Sequence, residues 1–308
     1  MAFPISGEHI NPIYLIGVGF VVGLLGGFFG VGGSFLAGPA LFAVGVPMNF
    51  VVGTDLTHIV GKSIVAARRH QMLGNVDLKL GLLMVFGTVA GVETGAQIIQ
   101  ILKRRMDINW VVGISFIIIL LGISTFMAWE TLKTLQQRRR KGQGPPLSAK
   151  KDKADESAFA HIPKIIQRLR IPPMIRLPAS GIDEISLWII LLVAYVGGVF
   201  SGFLGGGAGY IRMPALVYLL GVPTHVAVGT DLFEIMISAS YGTFTHALKG
   251  NVDIMIALVM HTGAALGAQI GAAATEFFVG PRIRLAFVPL PLLGAGLLIY
   301  TLLTGHHF

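Results

Sequence analysis

A chain of 308 residues that is 54% hydrophobic and 12% charged, with a mean hydropathy of +0.76, excludes a soluble globule, in which about a quarter of residues are charged. Its net charge of +8 would fit a nucleic-acid partner if it were spread along the chain, but twelve of the 23 Lys and Arg lie in residues 132–184, against five acids, and the remainder nets +1. A basic patch confined to one loop of an apolar chain reads as membrane topology, so no nucleic acid is expected. The absence of cysteine excludes disulfides and thiolate metal sites. The first basic residue is Lys62, so the N-terminus has no basic region to start a signal peptide, and none is expected.

The first apolar run, 13–28, would make a helix of about 24 Å at ~1.5 Å per residue, short of a hydrocarbon core of about 30 Å. It runs into Gly26-Gly27-Phe28-Phe29-Gly30-Val31-Gly32-Gly33-Ser34, and the next apolar piece, 35–44, is shorter still and contains Pro39. Two short segments around a glycine-rich break read as a broken, re-entrant helix pair. Glycines that merely let helices pack closely are the plainer alternative. Full-length spans follow at 49–67, ending in Arg68-Arg69-His70, at 78–102 after the turn Gly74-Asn75-Val76-Asp77, and at 108–129.

The linker at 131–184 divides in two. Residues 135–157 are charged and too poor in apolar residues to build a core. Residues 161–177 interleave Ile and Leu with Arg and Lys around Pro172-Pro173, and read either as an amphipathic piece on the membrane surface or as a solvated loop beside anionic lipid. Five further segments follow, at 185–203, 211–220, 226–247, 254–277 and 285–303.

These later segments repeat the earlier ones. Gly202-Phe203-Leu204-Gly205-Gly206-Gly207-Ala208-Gly209-Tyr210 matches the first break at an offset of 175, and both copies continue through Pro-Ala-Leu, Gly-Val-Pro, Gly-Thr-Asp-Leu and Gly-Asn-Val-Asp. The expected fold is therefore an all-α integral membrane protein of two repeats, 1–130 and 185–308, each of about five helical segments that include a broken helix pair. An odd number of passes per repeat makes the second enter from the opposite side, an inverted topology. A cytoplasmic linker then places both termini outside, and Lys103-Arg104-Arg105, also outside, breaks the positive-inside rule.

Charged groups inside spans cost roughly 2.5–3.5 kcal/mol at mid-depth and mark function by default. Asp55 and its counterpart Asp231 follow Thr54 and Thr230, and three residues on, His58 becomes Glu234. Spacings of three and four share a helix face, which adds Lys62 to the first stripe. Arg212, where the first copy has Ala37, can pair with Glu234 or face an anion. The candidate site comprises Gly30, Gly32, Gly33, Ser34, Thr54, Asp55, His58 and Lys62 with Gly206, Gly207, Arg212, Thr230, Asp231 and Glu234. Helix capping by the Thr-Asp pairs is the structural alternative, turn formation suffices for Asn75, Asp77, Asn251 and Asp253, and interhelical hydrogen bonding for Gln97 and Gln269. Helix N-termini at glycine-rich breaks suit anions. The run lacks the strand context of a dinucleotide fingerprint, and no phosphate-binding loop with Lys occurs.

The ordered set of Gly27 to Pro39, Gly45-Val46-Pro47, Gly53-Thr54-Asp55-Leu56 and Gly74-Asn75-Val76-Asp77, with its second copies, resembles the TauE/SafE family of membrane permeases, also called sulfite exporters. The resemblance implies a cytoplasmic-membrane transporter, commonly an exporter, of small sulfur-containing anions or organosulfonates. The long linker, His58 and Lys62 depart from the family's pattern. The reading is a secondary transporter of a small anion, working by alternating access in the lipid bilayer without a cofactor, with H+ or Na+ as coupling ion; a homodimer is left open. Its rivals are a passive anion channel, a carrier of non-sulfur carboxylates, and an enzyme, which the lack of any nucleophile–base or metal-ligand pattern argues against.

Overall fold

Gly30, Gly32 and Gly33 all sit at positive φ, at 73°, 69° and 80°. Only glycine adopts that conformation without a steric penalty, so the first apolar run is cut there. The computed structural model, which describes residues 3, 5–7, 9–105, 107–140, 161–205, 209–278 and 280–305, shows α1 (Pro12–Phe29) ending at this turn and α2 (Ser34–Ala43) restarting after it. Long helices α3 (Met48–Met72), α4 (Leu78–Arg105) and α5 (Ile108–Arg140) complete the first repeat. A short α6 (His161–Gln167) and an antiparallel hairpin, β1 (Met174–Leu177) with β2 (Ile182–Ser186), follow. The second repeat supplies α7 (Leu187–Leu204), α8 (Gly209–Ala215) with a π turn at Leu216–Leu220, α9 (Thr224–Leu248), α10 (Ile254–Ala274), α11 (Gly280–Phe287) and α12 (Pro289–Thr304).

Among the described residues, seven helices are long and apolar enough to cross a membrane. Large apolar side chains such as Ile13, Phe86, Ile118, Leu192 and Leu293 are exposed on their outer faces, as a lipid-facing surface requires. Helix α9, at 25 residues, is long enough to span but less apolar, because Asp231 and Glu234 interrupt it. The protein is an all-α integral membrane protein.

Three element boundaries differ from the sequence expectation. Helices α1 and α7 each have 18 residues and qualify as spans, so only α2 and α8 are the short arms of the broken pairs. Helix α5 runs on to Arg140, past the apolar stretch that ended the first repeat, because helix propensity continues through its Lys-, Gln- and Arg-rich end. The linker residues after 173 form strands rather than a surface helix or an open loop.

The two repeats interlock. Along α1, Gly19, Gly23 and Gly27 lie against Met260, Ala264 and Ala268 of α10, while Gly87, Gly91 and Gly95 of α4 lie against α7 at Leu191, Tyr195 and Val199. Each first helix therefore packs, in parallel, on the fourth helix of the other repeat, and small residues every four positions bring the backbones together. At the centre, Thr54 near the start of α3 meets Asp253 just past the end of α9, and Thr230 near the start of α9 meets Asp77 just past the end of α3. The matching helices α3 and α9 thus run antiparallel.

A Cβ at Gly91 would collide with the Tyr195 carbonyl, whereas one at Gly122 meets nothing within 4 Å. Gly91→Val should therefore lose most of the monodisperse protein on size exclusion in detergent. Gly122→Val should elute and melt like the wild type.

Candidate functional site

The breaks of the two repeats touch. A Cβ on Gly209, the first residue of α8, would lie 2.6 Å from Val31 Cα and 2.7 Å from Asp231 Oδ2. Gly30 abuts Val228 at the start of α9, and Gly205, at φ 81°, abuts Val52 at the start of α3. Each break therefore lies on the polar helix of the opposite repeat. Gly32 and Gly33 form the turn after α1, and Ser34 opens α2. Gly206 and Gly207 lie outside the described residues.

On α3, Asp55, His58 and Lys62 form one buried stripe, as their spacing requires. His58 Nδ1 is 3.4 Å from Asp55 Oδ1 and 3.4 Å from Lys62 Nζ. That single nitrogen can donate to Asp55 or accept from Lys62, but not both, so the position of one proton selects the partner. The His261 ring from α10 fills the space beside Gly61 on the same helix.

The second repeat builds a different cluster. Arg212 Nε donates to Asp231 Oδ1 at 2.7 Å, and Nη1 forms an ion pair with Glu234 Oε2 and donates to Thr88 Oγ1 of α4 at 3.3 Å. Ser238 Oγ donates to the same Glu234 oxygen at 3.3 Å. The guanidinium fits because Gly197 of α7 leaves room: a Cβ there would run into the Arg212 stem. Tyr210, two residues before Arg212, is fully buried within electrostatic reach of Asp55. Helix α8 thus joins the α3 stripe to the α9 cluster.

Thr54 and Thr230 act across the repeats rather than as caps of their own helices. Thr54 Oγ1 accepts from Asp253 N at 2.9 Å and Thr230 Oγ1 accepts from Asp77 N at 2.8 Å, fixing the turn before α10 and α4 respectively. Asp77 and Asp253 in turn cap those helices through Leu80 N and Met255 N. Thr230→Val would leave the Asp77 amide buried without an acceptor, a loss of about 1–3 kcal/mol in an unfolding titration, which Thr230→Ser should largely avoid. Gln97 does not bridge helices: it is exposed and donates to Glu93 on its own helix. Lys103 sits in the last turn of α4, where a cation favours the helix dipole, and donates to Asn251 Oδ1 at 3.1 Å.

Six buried polar atoms at this junction have no hydrogen-bond partner among the described residues: Asp55 Oδ2, His58 Nε2, Tyr210 Oη, Arg212 Nη2, Asp231 Oδ2 and Glu234 Oε1. Buried polar groups are rarely left unpaired outside sites that receive a ligand, a proton or water. The set mixes donors suited to an oxyanion with carboxylate oxygens suited to a proton or a cation. Of the residues not singled out from sequence, Tyr210 stands where the first copy has Phe35, the same divergence that exposed Arg212. Ser238 stands where the first copy has Lys62, so the same comparison reaches it, whereas Thr88 gives no such signal.

The family described as sulfite exporter TauE/SafE matches residues 15–298, which takes in both breaks and both Thr-Asp helices. The chain belongs to the TauE/SafE family. A probable membrane transporter protein of Bacillus subtilis, YunE, is 26% identical over 269 residues, covering 85% of this chain and 87% of the relative. A second from the same organism, YjnA, is 22% identical over 275 residues, covering 88% and 92%. A probable membrane transporter protein of Methanocaldococcus jannaschii, MJ0441, is 40% identical over 74 residues, 22% of this chain and 27% of the relative. No solved structure matches. This TauE/SafE protein is a multi-pass membrane transporter.

Proposed function

We propose that the chain exports a small sulfur oxyanion, sulfite or an organosulfonate, by alternating access of two inverted repeats, with anion binding at Arg212 coupled to protonation of Glu234 or Asp231. The observation that carries this reading is the charge of the α9 cluster: one guanidinium is bound by two carboxylates, with no other charged partner on it among the described residues. With both carboxylates ionised the cluster holds one surplus negative charge, and an anion entering it is repelled. Uptake of one proton, or one sodium ion, removes the surplus and loosens a carboxylate from Arg212, so anion and cation bind together. The antiparallel run of α3 and α9 supports the inverted arrangement, and the contact of Gly209 with Val31 supports a shared central site.

A thermal-shift screen of purified protein against sulfite, sulfoacetate, thiosulfate and simple carboxylates identifies the substrate. A shift with sulfite or a sulfonate is expected, and shifts confined to carboxylates would refute the sulfur assignment. In proteoliposomes, transport should saturate and follow the pH gradient, unlike the flux of a passive channel. Glu234→Gln should flatten the pH dependence, and an unchanged profile would remove Glu234 as the proton carrier.

A further inference from the structure

Residues 161–186 fold back over one end of the bundle, and they do so at a defined height. Trp188, the second residue of α7, is exposed and donates Nε1 to the Pro172 carbonyl at 3.1 Å. A tryptophan at the end of a span marks the membrane interface, so the chain around Pro172 lies at headgroup level. Between α6 and the β hairpin is a groove of about 1170 Å³, lined by Lys164, Arg168, Arg170 and Arg176 against Asp183 and Glu184. Ile165, Leu169 and Ile171, interleaved with those basic residues, are exposed. A groove lined by four basic and two acidic side chains, on a segment that also exposes apolar side chains at interface height, matches a phosphodiester with acyl chains attached.

The groove is also wired to the transport site. Ser180 Oγ, between the two strands, donates to Asp77 Oδ2 at 2.6 Å, and Asp77 N donates to Thr230, the neighbour of Asp231. Gln167 Nε2 donates to the Leu220 carbonyl at 2.8 Å, at the end of the second broken helix.

We propose that this groove binds the headgroup of an anionic phospholipid from the leaflet on the linker side, and that its occupancy steadies the Asp77–Thr230 contact beside the transport site. The inference is independent of which anion is carried. The test uses the full chain purified in detergent and titrated with short-chain phosphatidylglycerol, short-chain phosphatidylcholine or inorganic phosphate. Phosphatidylglycerol should raise Tm saturably by about 2–4 °C, with half-saturation at least about tenfold weaker in the K164Q/R168Q/R170Q variant, and phosphatidylcholine should do nothing. Equal shifts in wild type and variant, or from the two lipids, would overturn the proposal. An equal shift with inorganic phosphate would overturn the lipid and leave a free-anion site. If the triple variant does not purify, the exposed single change Arg170→Gln makes the same comparison, with a smaller loss expected and none overturning the assignment.

Discussion

Arg212→Met should abolish transport and destabilise the protein by about 3–5 kcal/mol, because it strands two carboxylates that are completely buried. The loss of fold alone would say little about function, since removing the one cation from a buried ion-pair cluster has that effect whatever the cluster does. The informative variant removes all three charges at once. R212M/D231N/E234Q replaces the charged cluster with neutral side chains of similar volume, and buried ion pairs replaced in this way often lose little stability. It should return to near wild-type stability in an unfolding titration while remaining inactive, with transport reduced by roughly 30-fold or more, the range expected when a buried charged contact is lost. Recovery of transport together with the fold would make Arg212 a structural residue only.

The second large effect lies in the other repeat. Lys62 is completely buried on α3, and Asp55 is the carboxylate within its electrostatic reach, with His58 between them. Lys62→Met should leave the Asp55 charge uncompensated and cost about 3–5 kcal/mol. Asp55→Asn added to it should restore much of that loss, giving a coupling of about 1–3 kcal/mol in a double-mutant cycle. Additive losses would separate the two residues and dismantle the stripe.

Much of this is legible from residues whose chemistry admits few alternatives. The breaks show because the left-handed turn at Gly30, Gly32 and Gly33 excludes other side chains. Arg212 shows because it breaks the match between copies, and a guanidinium inside an apolar segment needs partners. The exchange of first helices between repeats is hidden. Glycines four apart in α1 and α4 announce a close neighbour but not which helix it is, and α10 and α7 carry the same spacing. The hydroxyls of Thr54 and Thr230 look like local caps because a cap reads the same in sequence whether its amide belongs to the same helix or to one about two hundred residues away. The hairpin after Pro173 escapes a sequence reading since strands of four and five residues with mixed charge leave no clear alternation.

The most direct test is counterflow. Proteoliposomes preloaded with unlabelled sulfite, at equal pH on both sides, are diluted into a trace of labelled sulfite. A carrier with one central site exposed alternately accumulates label transiently above equilibrium, in the wild type but not in the folded R212M/D231N/E234Q variant. Label that only equilibrates in the wild type, or an overshoot that survives in the variant, would contradict a charged carrier site where the two breaks meet.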